Sequence, residues 1–198
     1  MTLDPRILRN ALGHFATGVT VVTYQTEDGT RHGMTVNAFT AVSLEPPLIL
    51  VSLRRESRAT DHLSKNPFVV NILAAAQHGV AMSFAGRKQP GLEIGWKQSA
   101  NGLAPRLTGT SAWFECTPWS EYDGGDHVLV LGEVQALDLT GEDPLLFFGG
   151  RFRDVGGFPD AIVPLSFPET GWLGETDRLS LPMEYVERCR GSRSVAAD

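Results

Sequence analysis

Hydroxyl and guanidinium side chains cluster where a predicted strand gives way to a predicted helix. The segment is Ser52-Leu-Arg-Arg-Glu-Ser-Arg-Ala-Thr60, with Ser57 placed to cap the helix. Free amides and the dipole at a helix start favour an anion. Arg54, Arg55 and Arg58 can add charge-assisted hydrogen bonds to it. The alternative interpretation is an ordinary capped helix whose arginines are solvated.

A second candidate is the segment 33–43, which alternates from Met34 onward and predicts one continuous strand. One face is apolar, while the other mixes small polar residues with Phe39. Such a face suits a flat polar ligand lying against the backbone, although an edge strand facing water has the same pattern. Pro46 and Pro47 predict a turn, and Leu48–Leu53 then reads as a buried strand.

The third candidate is the tripeptide Gly125-Asp126-His127 at the start of a predicted strand. A single histidine in this position is more often structural than functional. The chain contains none of the glycine-rich phosphate loops and no Gly-x-Ser-x-Gly elbow. No Cys/His cluster has metal-ligand spacing, so we expect no metal site.

Composition narrows the class of protein. The 198 residues are 42% hydrophobic and 20% charged, typical of a soluble globular chain, and the net charge is −6. An acidic chain with no long basic run is not expected to bind nucleic acid. Two distant cysteines, no apolar leader and no stretch of membrane-spanning length predict a cytoplasmic protein without a membrane segment.

Strands dominate the predicted elements. We expect an antiparallel barrel or sandwich with helical decoration, because helices and strands do not alternate regularly. Gly132, in the middle of a strand, predicts a bulge or a close backbone approach. Residues 1–155 form the predicted body, and the Gly- and Pro-rich residues 156–198 a C-terminal extension that is extended or disordered. The predicted body consists of helices from Pro5, Ser57 and Ala74, strands at 19–24, 33–43, 48–53, 68–73, 111–117, 126–137 and 145–148, a hairpin at Asp28-Gly29 and a long loop at 86–109.

Five motifs in order resemble the flavin reductase family, the FMN-binding split-barrel reductases of two-component monooxygenases. The resemblance spans about residues 6–153. Its motifs are Gly13–Thr23, Gly33–Ser43 with Pro46-Pro47, Phe68–Leu73, Gly125-Asp126-His127 with Gly132-Glu133-Val134, and Pro144-Leu145-Leu146 leading to Gly150-Arg151-Phe152.

The resemblance implies a mainly β fold, a Greek-key-like split barrel, in a homodimer with flavin at the subunit interface. It implies FMN or FAD as cofactor, NADH or NADPH as hydride donor, and delivery of reduced flavin to a partner monooxygenase. His127 would be the catalytic position, at the nicotinamide. The implied cofactor-binding residues are Met34, Thr35, Val36, Asn37 and Ala38 along the ring, Ser52 and Leu53 beside it, Arg54 and Ser57 toward the phosphate, Phe84, Arg87 and Lys88 at its flank, and Arg151 in the terminal motif.

The chain departs from the family pattern in three places. Ala41 stands where serine is common, Phe152 where tyrosine is common, and the extension exceeds the usual domain length. An alternative function is a flavin protein that keeps its flavin, as an electron-transfer module or an oxidase acting on its own organic substrate.

Overall fold

The computed structural model describes residues 3–156, and its first element is the predicted N-terminal helix α1, Pro5–Leu12. Asp4 caps this helix, since its Oδ1 accepts a hydrogen bond of 2.7 Å from the amide of Arg6. The apolar face is not buried in this chain, however. Ile7 and Leu12 are each 66% exposed and Phe15 is 78% exposed.

Twelve strands and two further helices follow, with a 3₁₀ turn at Ala75–Gln77. The helices are α2 (Arg58–Leu63) and α3 (His78–Phe84). The strands are β1 Thr17–Gly18, β2 Thr20–Gln25, β3 Arg31–Val36, β4 Phe39–Leu44, β5 Pro47–Arg54, β6 Phe68–Ile72, β7 Trp96–Gln98, β8 Pro105–Leu107, β9 Ala112–Gly124, β10 His127–Leu139, β11 Leu146–Phe148 and β12 Arg151–Arg153.

Seven strands form the main antiparallel sheet, in the order β3-β2-β6-β9-β10-β5-β4. The prediction of a mainly β, antiparallel fold with helical decoration is therefore confirmed. The sheet is not closed, because β3 and β4, which are consecutive in the chain, lie at its two edges. The other strands in residues 3–156 form two smaller sheets, β1-β11-β12 and β7-β8.

The prediction of one strand across residues 33–43 is wrong. The chain pairs with β2 as far as Val36, opposite Thr20, and then crosses to β5, where the Ala38 carbonyl accepts a hydrogen bond of 2.9 Å from the Ser52 amide. The backbone is extended on both sides of this crossing, so the side chains alternate without a break. The sequence pattern therefore does not reveal that the strand partner changes. Asn37 and Ala38 thus connect the two edges of the sheet.

The core lies inside the curved sheet and includes Val51, Leu53, Phe68 and Val130, each at most 1% exposed. Gly132 meets both parts of its prediction. A Cβ atom there would lie 2.6 Å from Cζ of Phe68, and the pairing of β10 with β9 shifts register beside it. Glycine is therefore required by close packing at this position.

Three local predictions need correction. The segment 86–109 is not wholly loop, because it contains the β7–β8 hairpin. The fully buried carboxylate of Glu115 anchors the tip of that hairpin by accepting hydrogen bonds from Ser99 Oγ and, at 2.9 Å each, from the amides of Asn101 and Leu103.

The predicted helix from Ala74 begins as a 3₁₀ turn, and β12 was missed because three residues are too few to show a period.

The predicted extension 156–198 lies, apart from Gly156, outside the described residues. Within residues 3–156, no helix combines the length and the apolar character needed to span a bilayer.

Candidate functional site

A cleft of about 640 Å³ opens beside the crossing between the two sheet edges. It brings together all but three of the residues predicted for the site. We call it the first cleft; its lining consists of Met34, Thr35, Val36, Asn37, Ala38, Ser52, Leu53, Arg54, Glu56, Ser57, Phe84, Ala85, Gly86 and His127. Glu56, Ala85 and Gly86 were not predicted, although each adjoins a predicted residue.

The Asn37–Ala38 crossing gives the first cleft its hydrogen-bond donors. Among residues 3–156, neither amide donates a backbone hydrogen bond, because both residues lie between β3 and β4. The carboxamide of Asn37 is exposed and has no hydrogen-bond partner in the same range. Two unpaired N–H groups and small neighbours leave room for a planar ligand with carbonyl oxygens at its edge.

At one end of the first cleft lies the start of α2, and the predicted cap is confirmed there. Ser57 Oγ accepts a 3.3 Å hydrogen bond from the Ala59 amide. The same hydroxyl donates to Met34 Sδ at 3.3 Å, which links the cap to the cleft wall. A phosphate reaching this end would meet the serine hydroxyl and the first amides of the helix.

Only one of the three arginines predicted near that end lines the cleft, namely Arg54. Arg55 is instead bound to the turn between β9 and β10, where it pairs with Asp123 at 3.0 Å and donates to the Gly125 carbonyl at 3.1 Å. Arg58 is exposed and absent from the lining. The predicted anion site therefore has one guanidinium group rather than three.

His127 begins β10 directly opposite Arg54 in β5. Its Nδ1 lies 2.7 Å from Oδ1 of Asp126. That hydrogen bond, reinforced by the charge of His127, holds the pKa of Asp126 below its ordinary value. An ionised carboxylate only accepts, so Nδ1 carries the proton and Nε2 is left for a ligand. Asp126 of the predicted motif thus orients the imidazole of His127, which lines the first cleft.

A second cleft, of about 530 Å³, adjoins the first and shares Thr35, Asn37 and Ala85 with it. It contains two of the remaining predicted residues, Arg87 and Arg151, whereas Lys88 lines neither cleft. The rest of this lining was not predicted, since it depends on β11 and β12 packing beside α3; it consists of Val19, Ala81, Met82, Phe147, Gly150 and Phe152.

Thr35, which lines both clefts, takes part in a hydrogen bond between elements distant in sequence. Thr35 Oγ1, on β3, donates to the Ala81 carbonyl of α3 at 2.7 Å. Within residues 3–156, no three His, Cys, Asp or Glu side chains gather in a way that could hold a metal ion. The two clefts offer amides, hydroxyl groups, guanidinium groups, one imidazole and one carboxylate, that of Glu56.

Comparisons with known proteins identify the family of this chain. The Flavin reductase like domain matches residues 12–156. The chain is 39% identical to the probable flavin reductase of Rhizobium meliloti (strain 1021) over 98% of its own length and 66% of that protein's. It is 38% identical to HsaB, the reductase subunit of a flavin-dependent monooxygenase in Rhodococcus jostii (strain RHA1), over 82% of this chain and 83% of that one.

A third relative is the FMN reductase (NADH) SmoA of Agrobacterium fabrum (strain C58 / ATCC 33970), 40% identical over 75% of this chain and 85% of the relative. Among solved structures, flavin reductase PheA2 in its native state superposes with a TM-score of 0.74 at 38% identity, covering 78% of this chain and 100% of that one. The NADH:FAD oxidoreductase SgcE6 of Streptomyces globisporus C-1027, in complex with NAD and FAD fragments, gives 0.69 at 36% identity, covering 81% and 99%.

The domain match covers more than half of the chain, and relatives more than 30% identical span most of it. The resemblance drawn from the five motifs is confirmed: this chain belongs to the flavin reductase family.

Proposed function

We propose that this chain is an NADH-dependent flavin reductase that binds FMN or FAD in the first cleft and passes the reduced flavin to a partner monooxygenase. The observation that carries the proposal is that two features line the same cleft. One feature is the pair of unpaired amides of Asn37 and Ala38, and the other is the imidazole of His127, which Asp126 orients. Relatives named as NADH-dependent flavin reductases support it.

The residues present fit a flavin. The cleft volume lies within the usual range of small-molecule sites, about 300–1,000 Å³. The donor set suits a flat ring with polar edges, and Arg54 supplies a cation for its phosphate. A bound flavin accepts a hydride from NADH, so the protein needs no nucleophile of its own.

Each predicted residue of the first cleft then has a binding or positioning role. The amides of Asn37 and Ala38 donate to the ring edge, where negative charge is greatest after reduction. Ser57 and Arg54 hold the phosphate end. Nε2 of His127 bonds the nicotinamide carboxamide and fixes NADH against the ring. The remaining predicted residues provide shape, namely Met34, Thr35, Val36, Ser52, Leu53 and Phe84.

The exposed apolar face of α1 supports a homodimer. Ile7 and Leu12 on α1, and Phe15 just beyond its end, each leave more than half of their surface uncovered by their own chain, and α1 itself contains no buried residue. A second copy of this chain is the proposed occupant, as the family resemblance implies. Burying three such side chains contributes about 1.5–3 kcal/mol each.

The proposed partner is a flavin-dependent monooxygenase, because the relative HsaB is named as the reductase subunit of one. Reduced flavin would reach that partner by diffusion. We further propose that the protein acts in the cytoplasm, where its buried free Cys116 remains reduced.

The alternative, a protein that retains its flavin as an electron carrier or oxidase, is not favoured by the reductase names of the relatives. Purified protein is mixed with NADH under air, and NADH loss is followed as FMN or FAD is added. A reductase shows a rate that rises and saturates with free flavin. A rate independent of added flavin, with flavin remaining on the protein through gel filtration, would favour the alternative.

A further inference from the structure

We propose that Arg55 is a positioning residue for hydride transfer, because it holds the turn that presents Asp126 and His127 to the first cleft. Arg55 itself lines neither cleft, so it acts through the imidazole and does not touch the flavin or NADH. The proposal rests on the proposed function, in which His127 fixes NADH. It deepens that function by adding a residue that binds neither ligand.

The guanidinium group of Arg55 converges on one short stretch of chain, residues 123–127, which joins β9 to β10 and which we call the turn segment. Its Nε and Nη2 donate to the Gly125 carbonyl at 3.2 and 3.1 Å. Nη2 also pairs with Oδ1 of Asp123 at 3.0 Å and donates to the His127 carbonyl at 3.5 Å. One planar side chain therefore bonds both ends and the middle of the segment, which the fixed fork of an arginine allows.

The backbone of Arg55 adds a further bond to the turn segment. Its amide donates to the Asp126 carbonyl at 3.1 Å. This bond lies next to the point where the ladder between β5 and β10 starts, with Arg54 opposite His127. Side chain and backbone together connect Arg55 to every residue of the segment except Gly124.

The turn is tight, and the partner of Arg55 also closes it. Gly124 and His127 face each other in the ladder between β9 and β10, and Gly125, between them, has φ +79°. Oδ1 of Asp123 accepts a hydrogen bond of 2.7 Å from the Gly125 amide, and the same oxygen pairs with Arg55. The two side chains are 50% and 80% exposed, and an ion pair this exposed contributes only modestly to stability. Its main effect is therefore on the geometry of the turn.

The geometry of the turn determines how the imidazole of His127 is oriented. The ring is held by the 2.7 Å contact between its Nδ1 and Oδ1 of Asp126. The ladder with Arg54 fixes the backbone of His127, whereas the carbonyl of Asp126 is held by the Arg55 amide. Loss of the Arg55 side chain frees the turn that carries this carboxylate, so Nε2 is presented less consistently to the nicotinamide. Hydride transfer requires aligned rings, and its rate falls with that alignment.

The test is a double-mutant cycle on NADH oxidation by the full chain with FMN. It compares the wild type, Arg55→Gln, His127→Ala and the variant that carries both changes. Arg55→Gln is expected to lower kcat/KM for NADH about three- to tenfold, less than His127→Ala, because the ladder still holds the His127 backbone. In the His127→Ala background the same change should have little further effect, since the ring to be positioned is gone.

FMN titration and a matched control separate positioning from general destabilisation. FMN affinity should be unchanged in Arg55→Gln, measured well below its melting temperature. Arg153→Gln, at an exposed arginine of β12 that lines neither cleft, should keep the wild-type kinetics.

Four results would overturn the proposal while the wild type still reduces FMN. They are unchanged NADH kinetics in Arg55→Gln, unchanged kinetics in His127→Ala, equal fold losses from Arg55→Gln in both backgrounds, and a fall in FMN affinity that matches the fall in kcat/KM. A wild type that oxidises no NADH with FMN would instead refute the proposed function, and this proposal with it.

Discussion

The ring of Phe84 lies against the backbone of Gly33, so closely that a Cβ atom built on Gly33 would be 2.6 Å from Cε1 of that ring. Phe84 is at the end of α3, and Gly33 is on the edge strand β3. The same ring lines the first cleft and packs edge-on against Trp96 at 5.9 Å. The missing side chain of Gly33 therefore sets how far Phe84 reaches into the wall of the first cleft.

Gly33→Ala is expected to displace Phe84. A rigid aromatic ring cannot relieve the clash by small torsional changes, as the end of a long flexible side chain can. We expect the free energy of unfolding to fall by about 1–3 kcal/mol and flavin affinity to fall with it. Chemical denaturation and FMN titration measure the two effects. Gly79→Ala is the matched control, since its Cβ would meet only Leu92 at an ordinary 3.7 Å; an equal loss in both variants would contradict the packing argument.

Asn37→Leu removes the free carboxamide of the crossing and adds apolar bulk above the neighbouring amides. Asn37 is exposed and makes no side-chain hydrogen bond within residues 3–156, so stability without flavin should change little. FMN affinity is expected to fall about tenfold, the equivalent of one lost hydrogen bond of roughly 1.4 kcal/mol. Asn101→Leu, in the β7–β8 loop, is the control; unchanged FMN affinity in Asn37→Leu would remove the crossing from the flavin site.

Neighbouring arginines provide a paired test of the phosphate end. Arg54→Gln should weaken FMN binding while leaving riboflavin, which lacks the phosphate, nearly unaffected. Arg55→Gln should instead lower the melting temperature, because Arg55 pairs with Asp123 and the Gly125 carbonyl. The preference of the wild type for FMN over riboflavin should shrink as salt screens the charge. If Arg54→Gln left that preference intact, the phosphate would have to bind elsewhere.

Stability is expected to depend on the titration of His62 on α2. Burial lowers the pKa of its imidazole below the ordinary 6.5; the charge of His32 acts in the same direction and that of Glu27 in the opposite one. Nε2 is buried without a hydrogen-bond partner among residues 3–156, and the ring stacks on Tyr24 at 4.5 Å. A base with a depressed folded pKa is neutral in both states above about pH 6.5, so its contribution is complete there.

That contribution is lost as pH falls through the lower folded pKa, since the unfolded chain binds the proton first. The melting temperature should therefore fall as the pH drops below the unfolded pKa of about 6.5. His62→Phe keeps a ring against Tyr24 but cannot titrate, and it should flatten part of this slope. The control variant His78→Phe, at an exposed position of α3, should leave this slope unchanged. Identical slopes in wild type and His62→Phe would assign the pH dependence to other groups.

The sequence predicted the structure well where one residue type satisfies a requirement of the nearby backbone or packing. The caps Asp4 and Ser57 and the close approach at Gly132 all depend on chemistry within a few residues or on the absence of a side chain. The extended backbone from Met34 to Ser43 was also predictable. The division of this segment at Asn37 could not be predicted. Alternating side chains indicate an extended backbone but do not indicate which strand it pairs with.

The candidate site was predictable mainly through the resemblance, which named most residues of the first cleft. Physical reading of the arginine cluster alone gave Arg55 the wrong role, because its partner Asp123 lies on a hairpin distant in sequence. The second cleft depends on β11, which was predicted as a strand at 145–148, and on β12, whose three residues are too few for a periodic signal. Features formed by long-range packing were therefore the ones that sequence reasoning missed.

The central claim is that the first cleft holds flavin while His127 fixes NADH against it. Anaerobic mixing of the protein, FMN and NADH, followed by the loss of visible flavin absorbance, tests it most directly. The wild type should reduce FMN far faster than the protein-free mixture. His127→Ala should lower kcat/KM for NADH about five- to 150-fold, for a lost interaction of roughly 1–3 kcal/mol, with FMN affinity retained. A wild type that binds FMN without accelerating its reduction would contradict the account, as would a His127→Ala variant with unchanged kinetics and only a lower melting temperature.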